Sequence, residues 1–325
     1  MTSYIIAVDL GGTQIRAALC DPHGQMYRRV AKLTRAQEGP DAVQARIKEA
    51  IAETMEGVGA EAVIGIGIGA PGPLDPASGI ILAAPNLPGW VNVPLRNLIS
   101  THFGKPTFLG NDANVAGLAE VTYGAARGVK DVVYLTISTG IGSGIISGGK
   151  MLLGARGLAA EAGHMMIKPD GPKCGCGNRG CLEALAAGPA ISRDVIGRLK
   201  AGKGGKSGKV LKLAGGDLDR VDARVIGEAA AAGDKLAINA FRRAGKYLGL
   251  GIVNLLHLFN PRMVVLGGSV TKAGPLLFEP MWETIRARAM PGYLDGLAIV
   301  PAALGDDVGL LGALALAVTE LGIKE

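Results

Sequence analysis

The sequence predicts an α/β protein of two domains, and three observations carry that prediction. Apolar strand-like segments alternate with helix-like ones along the chain, which favours sheets covered by helices. The chain has 325 residues, more than one small core uses, and 48% of them are hydrophobic. A pattern of strand, tight glycine turn and strand stands at the start and returns near residue 131.

The elements follow in order. "YIIAVDL", "GGT" and "QIRAALC" read as a hairpin beginning at residue 4. "EAVIGIGIGAPG" (61–72) reads as a buried strand with Ile64, Ile66 and Ile68 on one face and Gly65, Gly67 and Gly69 on the other. Glycine at every second position lets another element press against that face. "KPTFLGND" (105–112) is a strand leading into the helix-like "ANVAGLAEVTYGA". "DVVYLTIS", "TGIG" and "SGIISGG" repeat the hairpin; a shift of 129 sets Gly11 on Gly140, Ile6 on Leu135 and Val8 on Ile137. "DKLAINAFRRAGKYLGLGIVNLLHLF" (234–259) has the period and length of a long helix stopped by Asn260-Pro261. "RMVVLGGSV" is a strand running into Gly267-Gly268, and "DDVGLLGALALAVTE" is a helix with an acidic start. The domain change is expected near residue 115, giving 1–115 and 116–305, with the last helix (306–325) packing back on the first domain. Two such halves leave a cleft, a common place for ligands.

Composition narrows the function. The 51 glycines fall in short groups after apolar segments, a placement that suits backbone approaching a ligand. The start lacks the basic region of a secretory signal, and the longest apolar run (308–318) is well short of the ~18–20 residues a bilayer needs. A soluble cytoplasmic protein with no membrane partner is expected, in which clustered cysteines hold metal rather than form disulfides. The formal charge is +6, and its lysines gather in "RLKAGKGGKSGKVLK" (198–212) without aromatics. That stretch reads as a solvated loop, not a nucleic-acid surface. A modest positive balance also suits a polyanionic substrate.

Three motifs carry chemistry. The glycine turns open strands, not helices, so neither a dinucleotide fingerprint nor a P-loop fits. Their backbone N–H groups can cradle phosphate oxygens, and Asp9 at the mouth of the first can position a phosphate-bound Mg²⁺ through water. One such turn is plainly a hairpin; two, with Gly267-Gly268 after a third strand, favour phosphate. In "GND" (110–112) the plain reading of Asp112 is a helix N-cap, yet a carboxylate there is also placed to accept a proton from a substrate hydroxyl. His164, Cys174, Cys176 and Cys181 have the spacing H-x9-C-x-C-x4-C. One imidazole and three thiolates fill tetrahedral Zn²⁺, leaving no position for a reactive water, so the metal is structural. Glu161 and Glu183 flank this knot, which is expected to fix both carboxylates for sugar hydroxyls, with a second-ring N–H of His164 beside them. Cys20 lies in a strand and reads as core.

Together "DLGGTQIRAAL", "GAPGPLD", "GND", "STGIGSGI", "EAGH" and "CGCGNRGCLE" resemble the ROK family of repressors, open reading frames and sugar kinases, nearly end to end. The resemblance implies an actin-like (sugar kinase/Hsp70-type) fold of two α/β domains closing around ATP and a hexose. It implies that Asp112 deprotonates the sugar 6-hydroxyl while Asn86, Asn111, Glu161, His164 and Glu183 bind other hydroxyls. Gly11, Gly12, Thr13, Thr139 and Gly140 would face the phosphates, Gly267 and Gly268 the adenosine, and Asp9 the Mg²⁺. A homodimer or homotetramer is implied as well. The cysteine motif fits the glucose-phosphorylating branch best. Kinases for N-acetylmannosamine, mannose, fructose or allose share the same motif residues, and polyphosphate or ADP are alternative donors. Where the family reads A-G-E-x-G-H, this chain has Ala159-Ala160-Glu161, which puts the grip of Glu161 in question. Two further readings are a repressor and a non-catalytic sugar-binding protein. The first phosphate-turn strand begins close to Met1, leaving no room for a DNA-binding domain ahead of it, and Asp9, Asp112 and both turns are intact.

Overall fold

The computed structural model describes residues 3–202 and 208–323. Strands β1 (Tyr4–Leu10), β2 (Gln14–Cys20) and β3 (Met26–Leu33) lead to helix α1 (Pro40–Met55) and strand β4 (Val63–Ala70). Short strands β5 (Leu74–Asp75), β6 (Ile80–Ala83) and β7 (Val91–Val93) precede α2 (Leu95–Phe103), β8 (Thr107–Asn111) and α3 (Asp112–Thr122). Then come β9 (Val132–Ile137), β10 (Ile141–Ser147) and β11 (Lys150–Met151). Helices α4 (Leu182–Ala186), α5 (Gly188–Lys200), α6 (Lys209–Leu213), α7 (Ala223–Ala231) and α8 (Lys235–Phe259) follow. The chain closes with β12 (Met263–Gly267), α9 (Pro275–Arg288), β13 (Ala298–Pro301) and α10 (Val308–Glu320). No described helix is long and apolar enough to cross a membrane.

Two five-stranded sheets share one strand order, β3-β2-β1-β4-β8 and β11-β10-β9-β12-β13. Leu10 and Gln14 bracket the first glycine turn as Ile137 and Ile141 bracket the second, an offset of 127, two less than the sequence match suggested. A two-residue slip leaves every side chain on its own face, so alternation alone does not detect it.

The chain folds into two compact units, one of Met1–Tyr134, Gly144–Ala160 and Ala302–Glu325, the other of Leu135–Ser143 and Glu161–Pro301. In the first, Val63, Ile66 and Ile68 join the core that α1 covers. Ile64 turns to the opposite core, that of α10, against the expected grouping with Ile66 and Ile68. The cause is a bulge: Tyr4 pairs with Val63 but Ile5 with Gly65. On this face a Cβ at Gly67 would stand 1.9 Å from the Ala313 carbonyl oxygen, so glycine sets how closely α10 approaches.

In the second unit, α8 is capped by the Asp234 side chain, which accepts from the Leu236 and Ala237 N–H groups, and ends at left-handed Asn260 (φ 43°). The basic stretch differs from the loop expected. Arg198–Lys200 finishes α5 and Lys209–Leu213 forms α6, held by the fully buried Val210. Its residues 203–207 lie outside the described residues.

Candidate active site

The first turn, Gly11-Gly12-Thr13, is closed by the Gly11 N–H on the Gln14 carbonyl (2.9 Å) and tied by the Thr34 hydroxyl to the Gly11 carbonyl (2.6 Å). A Cβ at Gly12 would lie 3.0 Å from the Asn86 Cβ, so the exposed Asn86 sits against this turn. Asp9 stands directly across the ladder from Arg16. Two guanidinium nitrogens of Arg16 hold the Asp9 Oδ2, and its Nη1 donates to the Asp306 carbonyl (2.7 Å). Gly309, in the first turn of α10, makes room for that carboxylate: a Cβ there would be 2.7 Å from the Asp9 Cγ. Arg16 belongs to no motif; its only signal in the sequence is a hairpin with a three-residue turn, which places Asp9 and Arg16 opposite each other.

Asn111 ends β8, and its side chain, not that of Asp112, caps α3, accepting from the Ala113 (3.0 Å) and Asn114 (3.2 Å) N–H groups. This corrects the cap reading of Asp112. Asp112 is instead the first helical residue, exposed, with its Oδ1 accepting from the Ala113 N–H (2.8 Å).

The second turn, Ser138-Thr139-Gly140, is held from outside. The Gly188 N–H at the start of α5 donates to the Ser138 carbonyl (2.8 Å), and the Ser138 and Ser269 hydroxyls lie 3.0 Å apart. Gly268 runs beside it with φ 90°, and a Cβ there would be 2.3 Å from the Ile137 carbonyl oxygen. Gly267 is buried. Thr139 and Ser269 line a cavity of about 770 Å³ whose walls include Pro189, Ile196, Val221 and Arg193. Neither Gly267 nor Gly268 is among its lining residues. No motif marks these walls, which come from α5 and the segment leading into α7.

The ligand atoms of His164, Cys174, Cys176 and Cys181 all lie within 4.8 Å of one another. The Cys176 and Cys181 sulfurs are 3.7 Å apart, and so are the Cys174 sulfur and His164 Nδ1. Tetrahedral zinc with its usual bond lengths has edges of about 3.6–3.8 Å; these two pairs match, and one imidazole with three thiolates is a donor set that suits the ion. Burial pushes the Cys181 thiol up to about 12 and raises Cys174, while the Asn178 backbone N–H lowers Cys176. A bound dication is what makes three neighbouring thiolates tenable. The knot is small and tightly wound: the Cys174 N–H donates to the Asn178 carbonyl (2.8 Å), and Met166 and Cys181 form a β-bridge.

Only one of the two flanking glutamates is held. The Glu183 Oε2 accepts from the Ile141 N–H (2.9 Å). Glu161 is exposed and makes no side-chain hydrogen bond among the described residues. Just before it, Ala160 adopts φ 68°, a left-handed backbone that glycine takes without penalty.

Duplicated hairpin-led sheets with glycine turns define an α/β protein of the actin-like ATPase fold. The chain belongs to the ROK family, whose profile matches residues 5–320. It is 39% identical to a glucokinase of Thermotoga maritima over 319 residues, 98% of each chain. It resembles the crystal structure of a ROK family glucokinase from Streptomyces griseus in complex with glucose and AMPPNP, with TM-score 0.81 and 34% identity, over 98% of this chain and all of that one. A xylose repressor of Caldicellulosiruptor bescii is 31% identical over 98% of this chain, which spans 78% of the repressor.

Proposed function

We propose that the chain is an ATP-dependent glucokinase, transferring the γ-phosphoryl group of ATP to the 6-hydroxyl of D-glucose. One observation carries the reading. A chain that matches the Thermotoga maritima glucokinase over nearly its whole length carries Asp112 at a helix N-terminus, two glycine turns and the His-Cys₃ knot.

Asp112 takes the 6-hydroxyl proton as the new O–P bond forms, and ADP leaves with the electrons of the broken bond. Asn86, Asn111, Glu161, His164 and Glu183 hold the remaining sugar hydroxyls. Asn111 offers its amide NH₂, since its carbonyl oxygen is taken up by the helix cap. Gly11, Gly12, Thr13, Thr139 and Gly140 face the donor phosphates; the Gly11 N–H closes the first turn on Gln14, and the turns' other backbone N–H groups are the donors to phosphate. The apolar walls of the cavity beside Thr139 accommodate the adenosine, and Gly267 and Gly268 serve it by leading into Ser269, which lines that cavity. Mg²⁺ on the donor phosphates supplies charge neutralisation, and Asp9, a hard oxygen donor with one oxygen held by Arg16, suits it. Zinc is structural in this reading. The enzyme acts in the cytoplasm as a homo-oligomer.

The test is ADP release with Mg-ATP across glucose, mannose, fructose, allose, N-acetylglucosamine and N-acetylmannosamine. Glucose is expected to lead; preference for an acetylated sugar would keep the chemistry and change the acceptor. Asp112→Ala should lower turnover at least about 100-fold, the scale of general-base catalysis, with glucose binding by calorimetry largely retained. Surviving turnover would remove Asp112 as the base. The repressor relative supports a second reading as a sugar-responsive regulator. Salt-dependent binding to operator DNA would support it, and its absence would dismiss it.

A further inference from the structure

Glu183 has one oxygen committed before any sugar arrives. It sits in the first turn of α4, two residues after the knot ligand Cys181, and its Oε1 is 3.8 Å from the Cys174 sulfur. Its Oε2 accepts from the Ile141 N–H at 2.9 Å, where the second glycine turn re-enters the sheet. The same oxygen lies 2.6 Å from where a Cβ of Gly140 would be, so residue 140 must be glycine for the carboxylate to reach that N–H. A carboxylate on a backbone N–H is a charge-assisted bond, shorter and stronger than a neutral one.

We infer that Glu183 is a positioning residue for the phosphoryl donor: it straps the Ser138–Ile141 turn to the metal knot and fixes the direction of the turn's N–H groups. This rests on the reading of that turn as a phosphate site. It gives the knot a second task, since its rigidity reaches the donor as well as the sugar. Donor and acceptor are then coupled through the two oxygens of one side chain.

The test compares Glu183→Ala with Glu183→Gln, titrating Mg-AMPPNP by calorimetry without sugar and following hydrogen exchange at the Ile141 amide. Removing one charge-assisted bond should weaken AMPPNP binding by Glu183→Ala about tenfold or more and speed exchange at Ile141 by a similar factor. Glu183→Gln keeps an acceptor oxygen and should stay within about threefold of wild type in both, a rescue that a general loss of folding would not give. Wild-type AMPPNP affinity in Glu183→Ala, with Ile141 still protected, would overturn the strap. Wild-type protein that binds no AMPPNP would overturn the phosphate reading of the turn, and the strap with it.

Discussion

The two glycine turns are alike in length and in the sheet they serve, but the carboxylate beside each does opposite work. At the first turn the carboxylate is held: Asp9 is gripped by Arg16, which also reaches the Asp306 carbonyl. At the second it does the holding: Glu183 grips the turn backbone at Ile141. The first turn owes its order to its own hairpin and to Thr34 and Asn86 pressed on it. The second owes its order to helices α4 and α5 and, through Cys181, to the metal knot. A repeated scaffold sets where a turn's N–H groups emerge, and the segment laid beside it sets how firmly they are aimed.

The largest effect should come from breaking the side that has no counterpart in the first turn. Stripping metal with a strong chelator, or Cys176→Ser, should lower the melting temperature by about 10 °C or more, because structural zinc supplies folding free energy outright. Glucose affinity should fall as well. A Cys176→Ser protein that melts and binds glucose as wild type would show that the knot clamps nothing.

Breaking the first side should cost less, because Arg16 and Asp9 are partly exposed, at 30% and 16% of their side chains. Arg16→Ala should lower stability by about 1–2 kcal/mol, seen as a shift in the urea midpoint. It should also raise the Mg²⁺ concentration needed for half-maximal turnover while leaving the glucose KM nearly unchanged. If the glucose KM moves and the Mg²⁺ requirement does not, Arg16 serves the acceptor and the contrast between the turns dissolves.

The smallest effect is at Ala160. A left-handed backbone costs an L-residue about 1–2 kcal/mol, and glycine in the unfolded chain gives back roughly 0.5–1 of it, so Ala160→Gly should stabilise by up to about 1 kcal/mol. A lower urea midpoint in that variant would mean the alanine methyl contributes packing that outweighs its backbone.

Much of this was legible in the sequence, for identifiable reasons. Period-two alternation marked β1, β4 and β9, and Asn260-Pro261 stopped α8 where α8 ends. The metal cluster could be read because its ligands are close in sequence and its chemistry is strict about geometry. What escaped lay where local pattern is silent. The bulge that turns Ile64 to the other core breaks no rule of composition. Asn111 and Asp112 are both good caps, and only the chain's entry angle chose between them. The cavity walls at Pro189, Ile196 and Val221 come from segments far along the chain from the turn they border, with no motif to join them.

The glycine face of β4 also sets an order of events in synthesis. Gly65 and Gly67 are shaped to receive Leu321 and Ala313, and the core around Ile5, Ala7 and Ala18 is completed by Leu310, Leu314 and Ala317, all from α10 or its C-terminal cap, far along the chain. During synthesis the first sheet therefore emerges well before the helix that covers this face. Until α10 follows, that face is a bare apolar surface, the kind of exposed intermediate that chaperones bind and that aggregates when they do not. A ribosome stalled before α10 would release a chain with that surface still open.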